Sequence, residues 1–334
     1  MAHPVKQTVV QRKNDPYLYL YVIGEWYCYN PQEPPLGSGA MGDVYRGYRC
    51  KNGAAVAIKR VKPCYENNTM IRERARLEAS LAFRHPNLVE MVGVCEYAPD
   101  HGPIFILSHF VQGEDIDRYV KGVSESPTKV EKICNAMCSV LDALDYVHSR
   151  GVIHRDIKPS NIMIENGSNV RLMDLGISRM NGGNKFSQYG AIGTPEYMAP
   201  EQIKRGEGNA TTQINATTDI YELGITFYEL LTGVNPMRCE TDVDTYTKQL
   251  SEPLPANDEI PKKLMQVIWK ATEKEQSKRY QTALDFKNAI NASLMPDPPL
   301  SERVSKWMQE HLIMVVSIIV AFATLVFIIL LIAL

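Results

Sequence analysis

The 334-residue sequence lacks the patterns that mark several common functional classes. Its 36 Lys and Arg are balanced by 38 Asp and Glu, so it carries no positive excess that would attract nucleic acid. The seven cysteines are odd in number and have no CxxC spacing, which argues against a disulfide framework or a zinc site and favours a reducing compartment. Residues 1–17 contain no apolar run of the kind found in secretory signals, so we expect a cytosolic N-terminus.

One long apolar run is present, near the C-terminal end. Residues 312–334 contain no charged side chain, and a helix of this length spans roughly 34 Å, enough for a bilayer core. Arg303 and Lys306 precede the run, and Trp307 lies where aromatic rings favour the membrane interface. The sequence therefore predicts a single-pass C-terminal anchor, with the lipid bilayer as partner, the rest of the chain in the cytoplasm and homodimerisation of the anchors as a further expectation.

Composition divides the chain into four segments. We expect an N-terminal extension at residues 1–25 and one folded domain at residues 26–293. The proline-rich sequence at 295–299 interrupts any helix, so residues 294–311 are expected to form a juxtamembrane linker before the transmembrane helix at 312–334.

Hydrophobic periodicity divides the folded domain again. A small β-rich lobe, about residues 26–109, precedes a larger helical lobe, about residues 114–293. The clearest helix is Val130–His148, whose apolar residues recur at three- and four-residue spacing. In the small lobe, one charged helical stretch, Thr69–Phe83, separates runs with strand character, at Ala54–Lys59, Leu88–Val94 and Ile104–Phe110. The expected fold class is α+β with a bilobal arrangement.

Two segments of the small lobe suit phosphate groups. The sequence GSGAMGDV at 37–44 has glycines whose backbone amides can approach phosphate oxygens closely, although for this motif alone a plain hairpin turn is the commoner explanation. Further along, Lys59 follows three apolar residues in a strand, where an ammonium group needs an anionic partner. The pair of segments predicts an anion-binding site.

The larger lobe contains a denser motif. HRDIKPSN at 154–161 brings together a carboxylate (Asp156), a cation (Lys158) and an amide (Asn161) in one short loop. Thirteen residues later, the triplet DLG begins with a second carboxylate, Asp174. Amide and carboxylate oxygens are suitable Mg²⁺ ligands, so we expect Asn161 and Asp174 to converge on a metal.

The order of these motifs resembles the protein kinase family, and in particular eukaryotic-like Ser/Thr kinases, over about residues 30–292. Gly193–Glu201 is similar to the end of an activation segment, and Asp219–Gly224 to the start of the large central helix. Arg279 is similar to a late arginine that pairs with Glu201. The resemblance implies the bilobal kinase fold, ATP and Mg²⁺ as cofactors, and proteins as substrates.

The resemblance also implies a role for each site residue. Lys59 would hold the α- and β-phosphates of ATP, Asp156 would accept the proton of the substrate hydroxyl, and Lys158 would stabilise the transferred γ-phosphoryl group. Asn161 and Asp174 would bind Mg²⁺. The nucleotide would contact Leu36, Gly37, Ser38, Gly39, Gly42, Val44, Ala57, Lys59, His109 and Val111.

Two further implications concern regulation and nucleotide choice. Arg155 before the catalytic aspartate is typical of kinases controlled by activation-segment phosphorylation. The candidate acceptors are Ser178, Ser187, Tyr189 and Thr194. Thr194 is the weakest of them, since it matches a threonine that contacts the catalytic Asp and Lys in the family, and Ser187 is the preferred one. Ser108 matches the residue that gates the pocket behind the adenine, and its small side chain would leave that pocket open.

The sequence departs from the family pattern in two places. Leu175 replaces the usual Phe of the metal-binding triplet and can still pack between lobes. The helix glutamate that pairs with the strand lysine is expected nine residues before the HPN sequence at 85–87, where this chain has Arg76. Glu73 and Glu78 are alternative partners, and the sequence does not decide between them.

Together these features predict a membrane-anchored Ser/Thr protein kinase that faces the cytoplasm and acts on proteins near the membrane. A pseudokinase, meaning a nucleotide-binding or scaffolding module, is the alternative, and it is disfavoured by the intact set Lys59, Asp156, Asn161 and Asp174. A kinase of small molecules is disfavoured by the segment at 193–201, which resembles a docking platform for protein substrates.

Overall fold

The structure is a computed structural model of the chain. It describes residues 8–39, 41–80, 83–174, 194–206, 208–209, 212–296 and 299–333. Inside the helices, the backbone alone is described at residues 70, 74, 78, 300, 303, 315, 319 and 326–333. The chain forms two compact units, Met1–Ser293 and Leu294–Leu334.

The first unit begins with an antiparallel sheet. Its described strands are β1 (Val9–Gln11), β2 (Leu18–Val22), β3 (Glu25–Tyr29), β4 (Gly37–Ser38), β5 (Gly42–Arg49), β6 (Ala55–Val61), β7 (Met91–Glu96) and β8 (Ile104–His109). They lie in the order β1-β2-β3-β5-β6-β8-β7, with β4 paired to β5. Side chains alternate between the two faces, so Ile58 and Leu107 enter a core with Leu20 and Tyr29, while Lys59 points to the opposite face.

The sheet runs across the predicted domain start at residue 26. That boundary falls directly after Glu25, which pairs with Val22 in the β2–β3 hairpin, and β1 adds a further strand from Val9. Leu20 and Val22 are buried because β2 covers the apolar face of the sheet. Residues 9–25 are therefore part of the small lobe rather than an extension. The alternation of side chains at 18–22 is the pattern of a half-buried strand.

Helix α1 (Thr69–Ser80) packs on the same face of the sheet as Lys59. Ile71 and Ala75 are buried there against Val61 and Ile104. The predicted helix reaches Phe83, whereas α1 ends at Ser80 and residues 81–82 lie outside the described residues.

The predicted strand Leu88–Val94 begins only at Met91 in the structure. Its first residues bond instead to a strand of the larger lobe, β11 (Asn169–Leu172): Val89 N–H donates to Leu172 O at 3.0 Å, and Leu172 N–H donates to Asn87 O at 2.8 Å. These bonds join the chain after α1 to the segment that precedes Asp174.

The larger lobe is built around two buried helices. Its described helices are α2 (Ile116–Gly122), α3 (Lys129–His148), α4 (Pro200–Gly206), α5 (Ala216–Thr232), α6 (Asp242–Ser251), α7 (Lys262–Ala271) and α8 (Ala283–Leu294). The predicted helix Val130–His148 is confirmed as α3, and α3 and α5 share the main core. Asn215 caps α5 through a bond from Thr217 N–H, and Gly233 ends it at φ 77°. Strands β9 (Gly113–Asp115) and β10 (Ile162–Glu165) complete a small sheet with β11.

The second unit contains α9 (Leu300–Glu310) and α10 (Leu312–Ala333). In the described part of the chain, no single helix is both long and apolar enough for a membrane span. The segments Val304–Glu310 and Leu312–Leu325, bent by 79°, satisfy length and composition only when taken together.

Candidate active site

The glycine-rich segment forms a β-hairpin at the edge of the site. Leu36 N–H donates to Val44 O at 2.7 Å, and Gly39 N–H donates to Gly42 O at 2.9 Å. Gly42 is required by space, because a Cβ atom there would lie 2.4 Å from the carbonyl oxygen of Arg60. Gly37 has open space around it, so the structure gives no steric reason for that glycine.

Lys59 reaches from the sheet to the larger lobe. In β6 it pairs with Val44 of the hairpin and with Ile106 of β8, and its ammonium lies 2.8 Å from Asp174 Oδ2. The side chains are 25% and 50% exposed, so both charges stay partly solvated. The Lys59 ammonium holds the pKa of Asp174 below its ordinary value, which keeps that carboxylate ionised.

The adenine-contact residues predicted in β6 and β8 lie side by side. Ala57 is opposite Ser108, on the face that carries Lys59, and Val56 is opposite His109. The His109 N–H donates to Glu90 O at 2.9 Å, which fixes the end of β8. Val111, two residues later, is buried.

Three predicted site residues meet at the catalytic loop. Asn161 Nδ2 donates to the backbone oxygen of Asp156 at 2.7 Å and to its Oδ2 at 3.1 Å. Lys158 Nζ lies 3.2 Å from the same Oδ2 and donates to Thr194 Oγ1 at 2.8 Å. The carboxylate of Asp156 is thus flanked by a cation and an amide, as the sequence predicts.

Two buried carboxylates hold the backbone of this loop. Asp219 accepts bonds from His154 N–H at 2.8 Å, from Arg155 N–H at 2.7 Å and from His148 Nε2 at 2.6 Å. Glu222 accepts one from Ile157 N–H at 2.8 Å. Arg155 has φ 66°, a conformation that L-residues rarely adopt, and these bonds maintain it.

The segment leading to Asp174 is tied to the same loop. Met173 N–H donates to Asn161 O at 2.8 Å, and His154 Nε2 bonds Met173 O at 2.9 Å. Burial lowers the pKa of His154, so the ring is neutral and donates through Nε2. Asp174 itself has φ 46°. The loop and this segment therefore form one unit that carries both predicted metal ligands.

The donor set fits Mg²⁺. Asn161 uses its amide nitrogen for Asp156, which leaves the amide oxygen as the atom suited to a metal. Asp174 is an ionised carboxylate with half of its side chain exposed. These hard oxygen donors are the kind that Mg²⁺ prefers, and it usually completes its shell with phosphate and water.

Comparison with known proteins identifies the family. The family model described as "Protein kinase domain" matches residues 31–293. The chain belongs to the protein kinase family. The described lobes have the kinase fold: the PknI kinase domain of Mycobacterium tuberculosis superposes with a TM-score of 0.61 at 22% identity, covering 88% of this chain and 100% of that one.

Several curated relatives are named serine/threonine-protein kinases. The probable kinase PknB of Lactococcus lactis is 32% identical over 270 residues, which are 78% of this chain and 41% of that protein. PknB of M. tuberculosis is 31% identical over 80% of this chain and 43% of its own length, and PrkC of Bacillus subtilis is 29% identical over 85% and 43%. The chain thus spans about two fifths of the length of these relatives.

Further kinase motifs can now be located. Arg279 pairs with Glu201 as the resemblance implies, through two bonds of 2.7 and 2.8 Å. Thr194 contacts Lys158, in keeping with a structural role. The preferred phosphorylation candidate, Ser187, lies outside the described residues, as do Leu175, Ser178, Tyr189 and Gly193.

The departure at Arg76 has a structural explanation. Arg76 Nε lies 2.8 Å from Glu96 Oε2 at the end of β7, so this position of α1 serves a different pairing. Glu73 is exposed, and the side chain of Glu78 lies outside the described residues, so the partner that α1 offers to Lys59 stays a prediction.

Sequence reasoning missed several residues that build the site. His148 and Glu222 hold the catalytic loop, and Gln202 bridges Glu222 Oε1 at 2.8 Å and the backbone oxygen of Arg155 at 3.2 Å. Glu222 lies in the DIYELG sequence and His148 at a helix end. The sequence therefore identifies both as helix residues and does not show that they hold the loop at 154–161. No local pattern identifies Gln202.

Proposed function

We propose that the chain is an ATP-dependent protein kinase that phosphorylates serine and threonine hydroxyls. The observation that carries the proposal is the cluster around Asp156: its carboxylate is contacted by Lys158 and Asn161, while Lys158 also binds Thr194. A carboxylate next to a cation suits the acceptance of a proton from a hydroxyl beside developing negative charge.

Each described group has a place in this chemistry. Asp156 would orient the substrate hydroxyl and take its proton, and Lys158 would stabilise negative charge on the γ-phosphoryl group. Lys59 would bind the α- and β-phosphates, and the amides of the Gly37–Gly42 hairpin would cover them. Mg²⁺, which Asn161 and Asp174 would hold, neutralises phosphate charge when bound. The pseudokinase alternative is not favoured, because the chain keeps the full set Lys59, Asp156, Asn161 and Asp174.

The test is transfer of ³²P from ATP and Mg²⁺ to the chain itself and to a basic protein. We expect transfer by the full-length chain and a loss of about a thousandfold or more in Asp156→Asn and Asp174→Asn. Asp145→Asn is the matched control, because Asp145 is exposed on α3, away from the loop. ATP binding without transfer in the wild-type chain would support the pseudokinase instead.

We also propose that residues 312–334 anchor the kinase in a bilayer, with the domain in the cytoplasm and substrates near the membrane. The support is the apolar 22-residue helix α10, whose described side chains such as Ile313 and Phe322 are exposed. In a flotation assay with phosphatidylcholine vesicles, the full-length chain should float and a chain ending at Ser293 should not. Equal sedimentation of both would exclude the anchor.

Control by activation-segment phosphorylation and homodimerisation are parts of the same proposal. Arg155, held at φ 66° beside Asp156, supports the first, because a phosphate in the segment would find a cation there. Phosphosite mapping should place phosphate on Ser187, and Ser187→Ala should then slow transfer. Cross-linking with and without residues 312–334 tests dimerisation, and equal monomer content would refute it.

A further inference from the structure

Arg72 of α1 is a fully buried charge, with 1% of its side chain exposed. Its Nε donates to Glu66 O at 2.8 Å, and Nη1 donates to Glu96 Oε1 and to Ala98 O, each at 2.8 Å. Nη2 donates to Gly102 O. The guanidinium is thus surrounded by acceptors from the segment before α1, from the end of β7 and from the turn between β7 and β8.

A second arginine shares the same carboxylate. Arg76, one helical turn after Arg72, donates from Nε to Glu96 Oε2 at 2.8 Å and from Nη2 to Glu96 Oε1 at 3.1 Å. Arg76 Nη2 also donates to Pro99 O. We call Arg72, Arg76 and Glu96 the arginine clamp, because they fasten α1 to the end of β7 and the turn that follows.

Electrostatics makes this clamp hard to open. A guanidinium buried like that of Arg72 is stable only while its counter-charge and acceptors remain, and Glu96 is the carboxylate that contacts it. If α1 moved away from β7, Arg72 would lose its counter-charge within the protein. The clamp therefore favours one position of α1 relative to the sheet.

A neighbouring face of α1 packs on the strands around Lys59. Ile71 and Ala75 pack against Val61, Ile104 and Ile106, and Ile106 is the cross-strand neighbour of Lys59. A shift of α1 would thus change the packing around the base of Lys59, whose ammonium must stay near Asp174. Arg72 and Arg76 lie about 100° around the helix from Ile71 and Ala75, so the clamp and these contacts hold neighbouring faces of α1 against the same sheet.

We propose that Arg72, Arg76 and Glu96 are positioning residues for phosphoryl transfer. They hold α1 in the place that fixes Lys59, and this use of Arg76 explains why an arginine stands where the family pattern has glutamate. The proposal rests on the kinase activity proposed above. It adds that residues outside the active site contribute to the rate of phosphoryl transfer.

The test is Glu96→Gln in the full-length chain, which keeps the shape of the side chain and removes the charge. We expect the single-turnover rate of transfer at saturating ATP to fall about tenfold, with the KM for ATP changed less than about twofold, because fewer molecules have Lys59 in place. Hydrogen exchange at residues 69–80 should become faster. Glu25→Gln, which removes the half-buried ionic partner of Arg49 in the same sheet, is the control and should change neither readout.

The outcomes separate positioning from simple stability. Rates are measured well below the unfolding temperature, so Glu96→Gln with an unchanged rate and a lowered Tm overturns the proposal. If that variant does not fold, Arg76→Met, which loses a half-exposed side chain, should still slow transfer about threefold, and no slowing refutes the clamp. If the wild-type chain transfers no phosphate, the kinase proposal fails, and unchanged exchange in α1 would still refute the clamp by itself.

Discussion

Removing Arg279 should destabilise the kinase domain strongly. Its side chain is fully buried and pairs with Glu201, whose side chain is 4% exposed, through bonds of 2.7 and 2.8 Å. Its guanidinium also donates to the backbone oxygens of Thr217, Glu273 and Lys274. Arg279→Met keeps the apolar stem and deletes the charge. Glu201 would then keep one described donor, Thr218 Oγ1 at 2.8 Å.

The magnitude follows from the charge left behind. A buried carboxylate that loses its partner costs about 3–5 kcal/mol, which corresponds to a fall in Tm of about 10 °C in a domain of this size. Replacing both partners removes the isolated charge, so Glu201→Met with Arg279→Met should recover at least about half of that loss. Full recovery is not expected, because the three backbone oxygens stay without their donor.

The assay is urea and thermal unfolding of the full-length chain, followed by circular dichroism. Lys278→Met is the control next in sequence, since its ion pair with Glu275 is exposed, and no measurable change is expected there. A free energy of unfolding of Arg279→Met within about 1 kcal/mol of the wild-type value would show that the buried charge is not left uncompensated, and so would a double variant as unstable as the single one.

Three shorter predictions test other parts of the molecule. Ser108 should let the kinase use N6-benzyl-ATP with a kcat/KM within about tenfold of that for ATP, and Ser108→Met should abolish this while sparing ATP, as steady-state transfer rates would show. Burial lowers the pKa of Lys274 to about 8, so the unfolded chain holds this proton more tightly and stability should rise with pH above 8. Lys274→Met should therefore be about 1–2 kcal/mol more stable than the wild-type chain at pH 7, and this advantage in urea unfolding should shrink by pH 9.5. Glu73→Gln should keep activity because Glu73 is exposed. Glu78→Gln should slow transfer about tenfold, since position 78 lies about 200° around the helix from Arg76. Equal transfer rates of the two variants would contradict this.

The site could be predicted from sequence where its chemistry is local. Asp156, Lys158 and Asn161 lie within one short loop, so their spacing alone places them together. Lys59 and Asp174 are 115 residues apart, and only the resemblance to a known family could join them before the structure placed them 2.8 Å apart. The kinase domain as a whole could likewise be predicted only through this resemblance.

The rest depends on contacts between distant segments. The strands at residues 9–22 lie before the predicted domain start at residue 26, although the alternation at 18–22 was present in the sequence. Arg72 looks like any charged residue of an amphipathic helix, and its burial is decided by Glu96 and by the carbonyl groups of the following turn. No helical periodicity contains that information.

The charged residues of this kinase differ in how far their side chains are buried. Those that support the scaffold are almost fully covered: Asp219 holds the catalytic loop, Glu201 pairs with Arg279, and Arg72 anchors α1. The pair Lys59 and Asp174, for which we propose roles in phosphoryl transfer, remains partly exposed. Catalytic charges that stay solvated can exchange protein contacts for those of a nucleotide and metal at little cost, whereas buried ones cannot. Asp174→Asn should therefore abolish transfer with little change in Tm, and a large fall in Tm would show that this carboxylate supports the fold as well.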